Sequence, residues 1–372
     1  MTTERFDVHV RGAGIVGRAL ALSLARQGLR IALQETAPAA PRGEDVRAYA
    51  LNAASVGLLE TLRVWAALPK DAATAVYDMH VMGDMPGAAL DFSAYTQRVR
   101  ELAWIVDAPA LEAELGNAVR FAPHVSEIPA GAEVQASLTA VAEGKASATR
   151  EAFGVGFERF DYGQTAIAAR LTAAEPHQGR ALQWFRSPDV LALLPFDRPQ
   201  PTRSYALVWS LPSARAQELL ALQAPAFEQA LNDACGGAMG LALASERAAW
   251  PLSQARAECW CGPGWVLVGD AAHVVHPLAG QGLNLGLGDV LALSRVLAGR
   301  EGWRSPGDEK LLRRYARERD MPTREMGRMI DGLWQLFASD APALRELRNR
   351  GLALLDHVSP LKRWLTTRAL GN

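Results

Sequence analysis

Phe6, Val8 and Val10 alternate with polar neighbours, a period-two pattern that predicts a short strand near the start of the chain. The period then changes. From Ile15 to Arg26 the apolar residues fall at helical spacing, and Gly28 ends the run. Leu29 to Gln34 read as a second strand with Glu35 at its end. Far downstream the same grammar returns: Trp265 to Val268 is a compact apolar strand, and Leu285 to Leu297 resumes helical spacing. Between these blocks Val76 to Gly83, Gln183 to Pro195 and Arg203 to Leu211 carry short apolar or alternating patterns suited to strands, while Ser137 to Val141 is a weaker one. From about residue 301 the pattern is helical and rich in arginine.

The turn between the first strand and helix holds Gly12, Gly14 and Gly17 at G-x-G-x-x-G spacing. Glycines there let the backbone turn sharply, approach a pyrophosphate and pack helix against strand. The helix N-terminus adds unpaired N–H groups and a partial positive charge. Glu35 lies where an acid would bind a ribose hydroxyl pair, which favours FAD or NAD over NADP at this position. A tight strand–helix turn with fortuitous glycines is the plainer explanation. Strand, helix and terminal acid falling in register favour dinucleotide binding.

A second glycine-rich stretch, Gly269-Asp270-Ala-Ala-His273-Val-Val-His276-Pro277-Leu-Ala-Gly280-Gln281-Gly282-Leu-Asn284, sits between the later strand and helix. Asp270 can accept hydrogen bonds from a polyol chain. The loop Gly280–Gly282 can lay backbone N–H groups against a flat, electron-rich ring, and the helix beyond it stabilises negative charge.

The run GDAAHVVHPLAGQGLNLGLGDV resembles the flavin-binding signature of class A flavoprotein aromatic hydroxylases, and more narrowly of the ubiquinone-biosynthesis hydroxylase family. Asp45 to Ser55, with Arg47, resembles that family's segment after the second strand; Asp161-Tyr162-Gly163-Gln164, Gly351 to Leu355 and Pro360-Leu361-Lys362 agree with it. The resemblance implies an α/β fold like that of para-hydroxybenzoate hydroxylase. A Rossmann-like FAD-binding domain (1–70, 102–154 and 256–300) would carry an inserted β-sheet substrate domain (71–101 and 155–255), followed by a C-terminal helical region (301–372). It implies FAD as cofactor, NAD(P)H as transient reductant and O2 as co-substrate, with hydroxylation of a phenolic ring. Gly12, Gly14, Gly17, Glu35, Arg47 and Asp270 would contact FAD, and Pro277, Gly280, Gln281, Gly282 and Asn284 would border the isoalloxazine. Of ten tryptophans, Trp184 and Trp209 lie on the expected substrate sheet and are the candidates for contacts above the flavin. No catalytic base is named. The implied substrate is a polyprenylated ubiquinone precursor, with a small soluble phenol as the enzymatic alternative.

One departure bears on reduction. The family's central Asp-Gly motif, associated with FAD and pyridine-nucleotide interaction, is matched here by Glu143-Gly144-Lys145-Ala146-Ser147-Ala148-Thr149-Arg150, with Glu in place of Asp. The extra methylene predicts looser placement of the carboxylate. It also motivates a second class of reading, a FAD-binding but catalytically silent partner in a biosynthetic complex.

Composition adds exclusions. The 372 residues, 49% hydrophobic and 21% charged with a net charge of −1, suit a globular protein and argue against disorder or nucleic-acid electrostatics. Cys235, Cys259 and Cys261 are too few for a disulfide framework, which points to a reducing cytoplasm. Cys259 and Cys261 with His273 and His276 have spacings one short of zinc pairs, so no metal is expected. No signal peptide or membrane-spanning run is evident, nor a G-x-S-x-G, P-loop or H-E-x-x-H motif. The segment Ala343 to Asn372 holds six basic side chains against two acidic, beside a series of leucines. It reads either as a helical layer with a solvated basic face or as a contact for anionic lipid or a partner protein at the inner face of the membrane.

Overall fold

A computed structural model of the chain describes residues 5–36, 43–83, 89–237, 239–275 and 282–338. Pro277, Gly280, Gln281 and the basic segment from Ala343 onward lie outside the described residues.

The glycine turn belongs to a six-stranded sheet whose order is Cys261–Gly262, Trp265–Leu267, Gln135–Val141, Arg5–Arg11, Ile31–Gln34 and Val125–Ile128. All its pairings are parallel except that of the edge strand Cys261–Gly262. From Arg5–Arg11 the chain runs out to Ile31–Gln34 and Val125–Ile128, then returns on the other side with Gln135–Val141. The strand order therefore reverses between Arg5–Arg11 and Gln135–Val141. In open parallel sheets, the crevice beyond the carboxyl ends at such a reversal is where ligands bind.

The first helix, Ile15–Ala25, is sandwiched between this sheet and the helix Gly282–Ala298, and it buries nearly its whole surface, including Leu20 and Leu24. Ala19, Ala21, Ser23 and Ala25 on its other faces are small enough to permit packing on every side. A long helix, Glu309–Ala338, closes the layer: buried Tyr315 donates its hydroxyl proton to the Leu267 carbonyl at 3.0 Å. No described helix is long and apolar enough to cross a membrane.

A second, larger sheet runs in the order His273–Val274, Ala248–Ala257, Phe157–Thr172, Ser204–Pro212, Asp189–Phe196, Arg180–Arg186, Asp78–Met82 and Ala89–Ser93, with Ala242–Leu243 also pairing on Phe157–Thr172. The run Gln183–Pro195, whose pattern suits strand, is a hairpin that turns at Ser187-Pro188. Val76 to Gly83 is likewise divided, its start ending a strand of a small three-stranded sheet (Ala48–Leu51, Ala103–Asp107, Ala73–Val76) and its centre joining the large one.

Period two sorts the large sheet's residues cleanly. Ile167, Leu171, Leu193, Tyr205 and Leu207 pack under the helices Ser213–Ala221 and Ala224–Ala234, against Phe227 and Leu231. The opposite face carries Ala166, Ala168 and Arg170, and Arg170 gives its direction. Its Nη2 donates to the Arg47 carbonyl at 2.7 Å and to Asp107 Oδ1 at 2.8 Å. Arg198 donates to the other Asp107 oxygen at 2.6 Å. Two guanidinium groups on one carboxylate thus tie the large sheet to the small one and to the segment carrying Arg47.

Candidate active site

The three glycines of the first turn have distinct roles. Gly12 has φ +106°, and a Cβ on it would lie 2.3 Å from the Ala142 carbonyl oxygen. At Gly17 a Cβ would come 1.8 Å from the Gly12 oxygen, so helix and turn can touch only if Gly17 lacks a side chain. Gly14 is the N-cap of the helix, and a Cβ there would meet nothing within 4 Å. With no side-chain cap, the first amides of the helix face open space, the requirement for holding a pyrophosphate. That geometry fits FAD.

Glu35 is exposed just past its strand, 3.8 Å from Arg18 Nη2. Arg18 also donates to the Glu112 carbonyl at 3.0 Å, and the Glu112 carboxylate accepts from Arg47 Nη2 at 3.1 Å. Glu35 and Arg47 therefore belong to one corner of the crevice. Arg47 is held rigidly there: Asp45 accepts from its Nε at 2.8 Å and from its Nη2 at 2.6 Å, and Nη1 donates to Tyr49 at 2.9 Å. The Asp45 hydrogen bond, opposed by burial, raises the guanidinium further above its ordinary range.

The second glycine motif meets the first directly. Val16, in the opening turn of the first helix, packs against Gly269 and Gly286 so closely that a Cβ on Gly286 would lie 2.8 Å from Val16 Cγ2. Asp270, next to Gly269, opens onto the same crevice. Protein crowds its carboxyl enough that desolvation raises it above the usual carboxylate range, against the pull of His273 and Lys145. The third stretch joins through Arg150, whose Nη1 donates to the Ala271 carbonyl at 3.2 Å and whose Nη2 donates to the Lys145 carbonyl at 3.1 Å. Its guanidinium lies 3.6 Å from the Phe157 ring centre.

Several determinants are visible only in three dimensions. Asp289, fully buried, accepts from Gly269 N at 2.9 Å, His273 Nε2 at 2.6 Å and Arg319 Nε at 2.7 Å. Burial works against its ionisation, but the charges and hydrogen bonds of His273 and Arg319 outweigh it and hold the carboxyl below its usual range. Asp289 thus fixes the Gly269–Asp270 turn from behind. The one sequence signal was an acid inside an otherwise apolar helix. Glu143 is also better placed than its extra methylene predicts. Its carboxylate accepts from Arg11, Ser147 and Thr149, and it is 3% exposed.

Two expectations require correction. Trp184 and Trp209, proposed to touch substrate, are 5% and 1% exposed and lie in the core beneath Phe227, on the sheet face turned away from the crevice. The tryptophan on the crevice face is Trp250, directly opposite Ala166 and half-buried. Cross-strand pairing places Ala248, Ala168, Val208, Ala192 and Gln183 in one row on that face, three of them alanines. Asn284, expected beside the ring, instead uses its side chain as a clamp. It accepts from Asn52 N at 3.0 Å and Ser55 Oγ at 2.7 Å, and it donates to the Ala50 carbonyl at 2.8 Å. Gly282 begins the helix after the second motif. Among the described residues no cluster could hold a metal ion.

Comparison with known proteins agrees with this geometry. The FAD binding domain family matches residues 119–328. The chain is 30% identical to the 3-demethoxyubiquinol 3-hydroxylase of Escherichia coli, covering 100% of both proteins. It is also 30% identical to a ubiquinone hydroxylase of Rhodospirillum rubrum, over 98% of this chain and 89% of that one. In fold it is similar to p-nitrophenol 4-monooxygenase from Pseudomonas putida, with a TM-score of 0.76 at 17% identity over 100% of this chain and 99% of that one. A probable FAD-dependent monooxygenase from Pseudomonas aeruginosa also gives 0.76, at 21% identity over 94% of this chain and all of that one. The chain belongs to the ubiquinone-biosynthesis hydroxylase family of class A FAD-dependent aromatic monooxygenases.

Proposed function

We propose that the protein hydroxylates the ring of a polyprenylated phenol or quinol precursor of ubiquinone, with NAD(P)H as reductant and O2 as the source of the oxygen atom. FAD supplies the redox chemistry. The chain's own residues hold that cofactor and shape the space beside it. Gly14 and the uncapped helix behind it receive the pyrophosphate, and Glu35 the ribose. Asp270 accepts hydrogen bonds from the polyol, and Arg47 stands at the Glu35 end. Pro277, Gly280, Gln281 and Gly282 are the residues that the family resemblance assigns to the border of the ring. The substrate lies between that ring and the alanine-rich row on the large sheet, with Trp250 at its side. Exclusion of water from this space protects the oxygenating step.

The observation that carries the reading is the contact of Val16 with Gly269 and Gly286, which brings Gly14 and Asp270 to one crevice. The polyprenylated substrate is supported by the names of the Escherichia coli and Rhodospirillum rubrum relatives. Purified holoprotein should be given NADH or NADPH, 18O2, and either a polyprenylated phenol or a small soluble phenol. Incorporation of one labelled oxygen into the lipid-soluble phenol, faster than into the small one, is the expected result. Preference for the small phenol would reassign the substrate. Labelling of neither, with no reduction of the flavin, would favour the silent-partner reading.

A substrate that resides in the bilayer suits a cytoplasmic protein that touches the inner face of the membrane through the basic segment 343–372. Cosedimentation with anionic liposomes should fall when that segment is removed. Equal binding with and without it would remove the membrane contact from the account.

A further inference from the structure

We propose that Arg11 and Glu143 are a matched positioning pair that sets the seat of FAD, so that the glutamate is required here in place of the family's aspartate. Arg5–Arg11 and Gln135–Val141 run parallel until the Ala142 amide donates to the Arg11 carbonyl at 2.7 Å. Beyond that bond the two chains separate, one into the glycine turn and the other into the Glu143–Arg150 segment. This is also the point of strand reversal, where the crevice opens.

The pair bridges the gap. Arg11 Nε donates to Glu143 Oε1 at 2.9 Å, and Thr149 Oγ1 donates to the same oxygen at 2.6 Å. Oε2 accepts from Ser147 Oγ at 2.7 Å and from the Thr149 amide at 3.0 Å. Each carboxylate oxygen thus has two donors, and they come from opposite sides of the crevice. Ser147 and Thr149 belong to the start of the helix Ala148–Ala152, while Arg11 immediately precedes Gly12. These donors overcome the effect of burial and hold the Glu143 carboxyl below its ordinary range.

An aspartate is shorter by about 1.5 Å, one carbon–carbon bond. It could keep the Ser147 and Thr149 bonds or the Arg11 bond, but not both sets. The turn would feel the loss at once, because a Cβ on Gly12 would lie only 2.3 Å from the Ala142 oxygen and 2.9 Å from the Glu143 amide. Gly12 is seated directly on the backbone that Glu143 anchors. Gly14 and the open helix amides follow two residues later, and preorganised sites tolerate displacements of only about 0.5 Å.

The inference rests on FAD occupying this crevice, and the experiment separates failure of the two ideas. FAD dissociation constants are measured on holoprotein by release of flavin fluorescence on dilution, for the parent, Glu143→Asp, Arg11→Met and the double variant. Flavin-free parent protein would contradict the cofactor assignment itself. With flavin present, each single variant should weaken FAD binding about tenfold, and the double variant much less than the hundredfold product, because either change already breaks the pair. Glu143→Asp binding FAD as tightly as the parent, or effects that multiply in full, would overturn the proposal. Arg11 is partly exposed and can be replaced without opening the core, so Arg11→Met carries the test even if Glu143→Asp fails to fold. Unchanged FAD affinity in Arg11→Met would then suffice to reject the pair.

Discussion

Val16 and Gly286 touch so closely that a single methyl on the glycine would stand 2.8 Å from Val16 Cγ2. Val16 lies in the opening turn of the helix proposed to face the pyrophosphate, while Gly286 lies in the helix that follows the second glycine motif. Their contact aligns two helix N-termini on one crevice.

Gly286→Ala should therefore displace one helix from the other. Overpacking of this kind lowers stability by about 1–3 kcal/mol, and flavin content should fall with it. Gly14→Ala is the contrasting change, because its Cβ would meet no protein atom within 4 Å and would project into the space proposed for the cofactor. It should leave the melting temperature of the apoprotein within about 2 °C of the parent while weakening FAD binding. Calorimetry of the apoproteins with flavin titration checks both.

Asp289 accepts hydrogen bonds from His273 and from the Arg319 guanidinium in a fully buried position. Its carboxyl titrates below the unfolded value, so its contribution is complete above the ordinary carboxylate range and is lost as pH falls through the lowered folded value. Asp289→Ala should cost about 3–5 kcal/mol at neutral pH, because it strands His273 and Arg319. The variant should also lose part of the parent's acid sensitivity in urea unfolding series collected from pH 7 downwards.

Asp189 has the opposite sign. Burial pushes its carboxyl up to about 6, against the pull of Arg215 and a hydrogen bond from Trp209. A raised acid value means that ionisation destabilises the fold progressively from the ordinary carboxylate range up to about pH 6, with the full penalty above it. Asp189→Asn should flatten that part of the stability profile and gain up to about 2 kcal/mol at pH 8. A variant less stable than the parent at pH 8 would contradict this assignment.

Trp209 and Trp250 separate packing from function. Trp209→Ala should lower stability by about 3–5 kcal/mol, as large-to-small core changes do. Trp250→Ala should leave flavin content unchanged and raise the KM for the phenol several-fold. Steady-state kinetics beside thermal unfolding distinguishes the two.

The contrast between these tryptophans also shows what the sequence could convey. Alternation along Arg203 to Leu211 marks Trp209 as sharing a face with Tyr205 and Leu207, but period two does not say which face meets the helices and which the crevice. That depends on Phe227 and on Arg170, whose partners Arg47 and Asp107 are remote in sequence. The first glycine turn was legible because its geometry is local: spacing, strand and helix lie within a few residues. Glu143 was misread as loosened because its partner Arg11 is 132 positions away, and chain distance hides the match in length. Asn284 was expected at the ring together with the rest of its glycine-rich motif. Its own side chain turns back to clamp Ala50, Asn52 and Ser55. The turn at Ser187-Pro188 does carry a local signal, the polar and proline run Arg186-Ser187-Pro188-Asp189 between two apolar stretches.

The most direct test of the whole account is the visible absorption spectrum of the purified protein before and after anaerobic addition of NADH or NADPH. The account predicts a yellow protein with about one FAD per chain, lost in Asp270→Ala, whose absorbance bleaches with reductant and returns on admission of air. A colourless parent that takes up no FAD on reconstitution would contradict it.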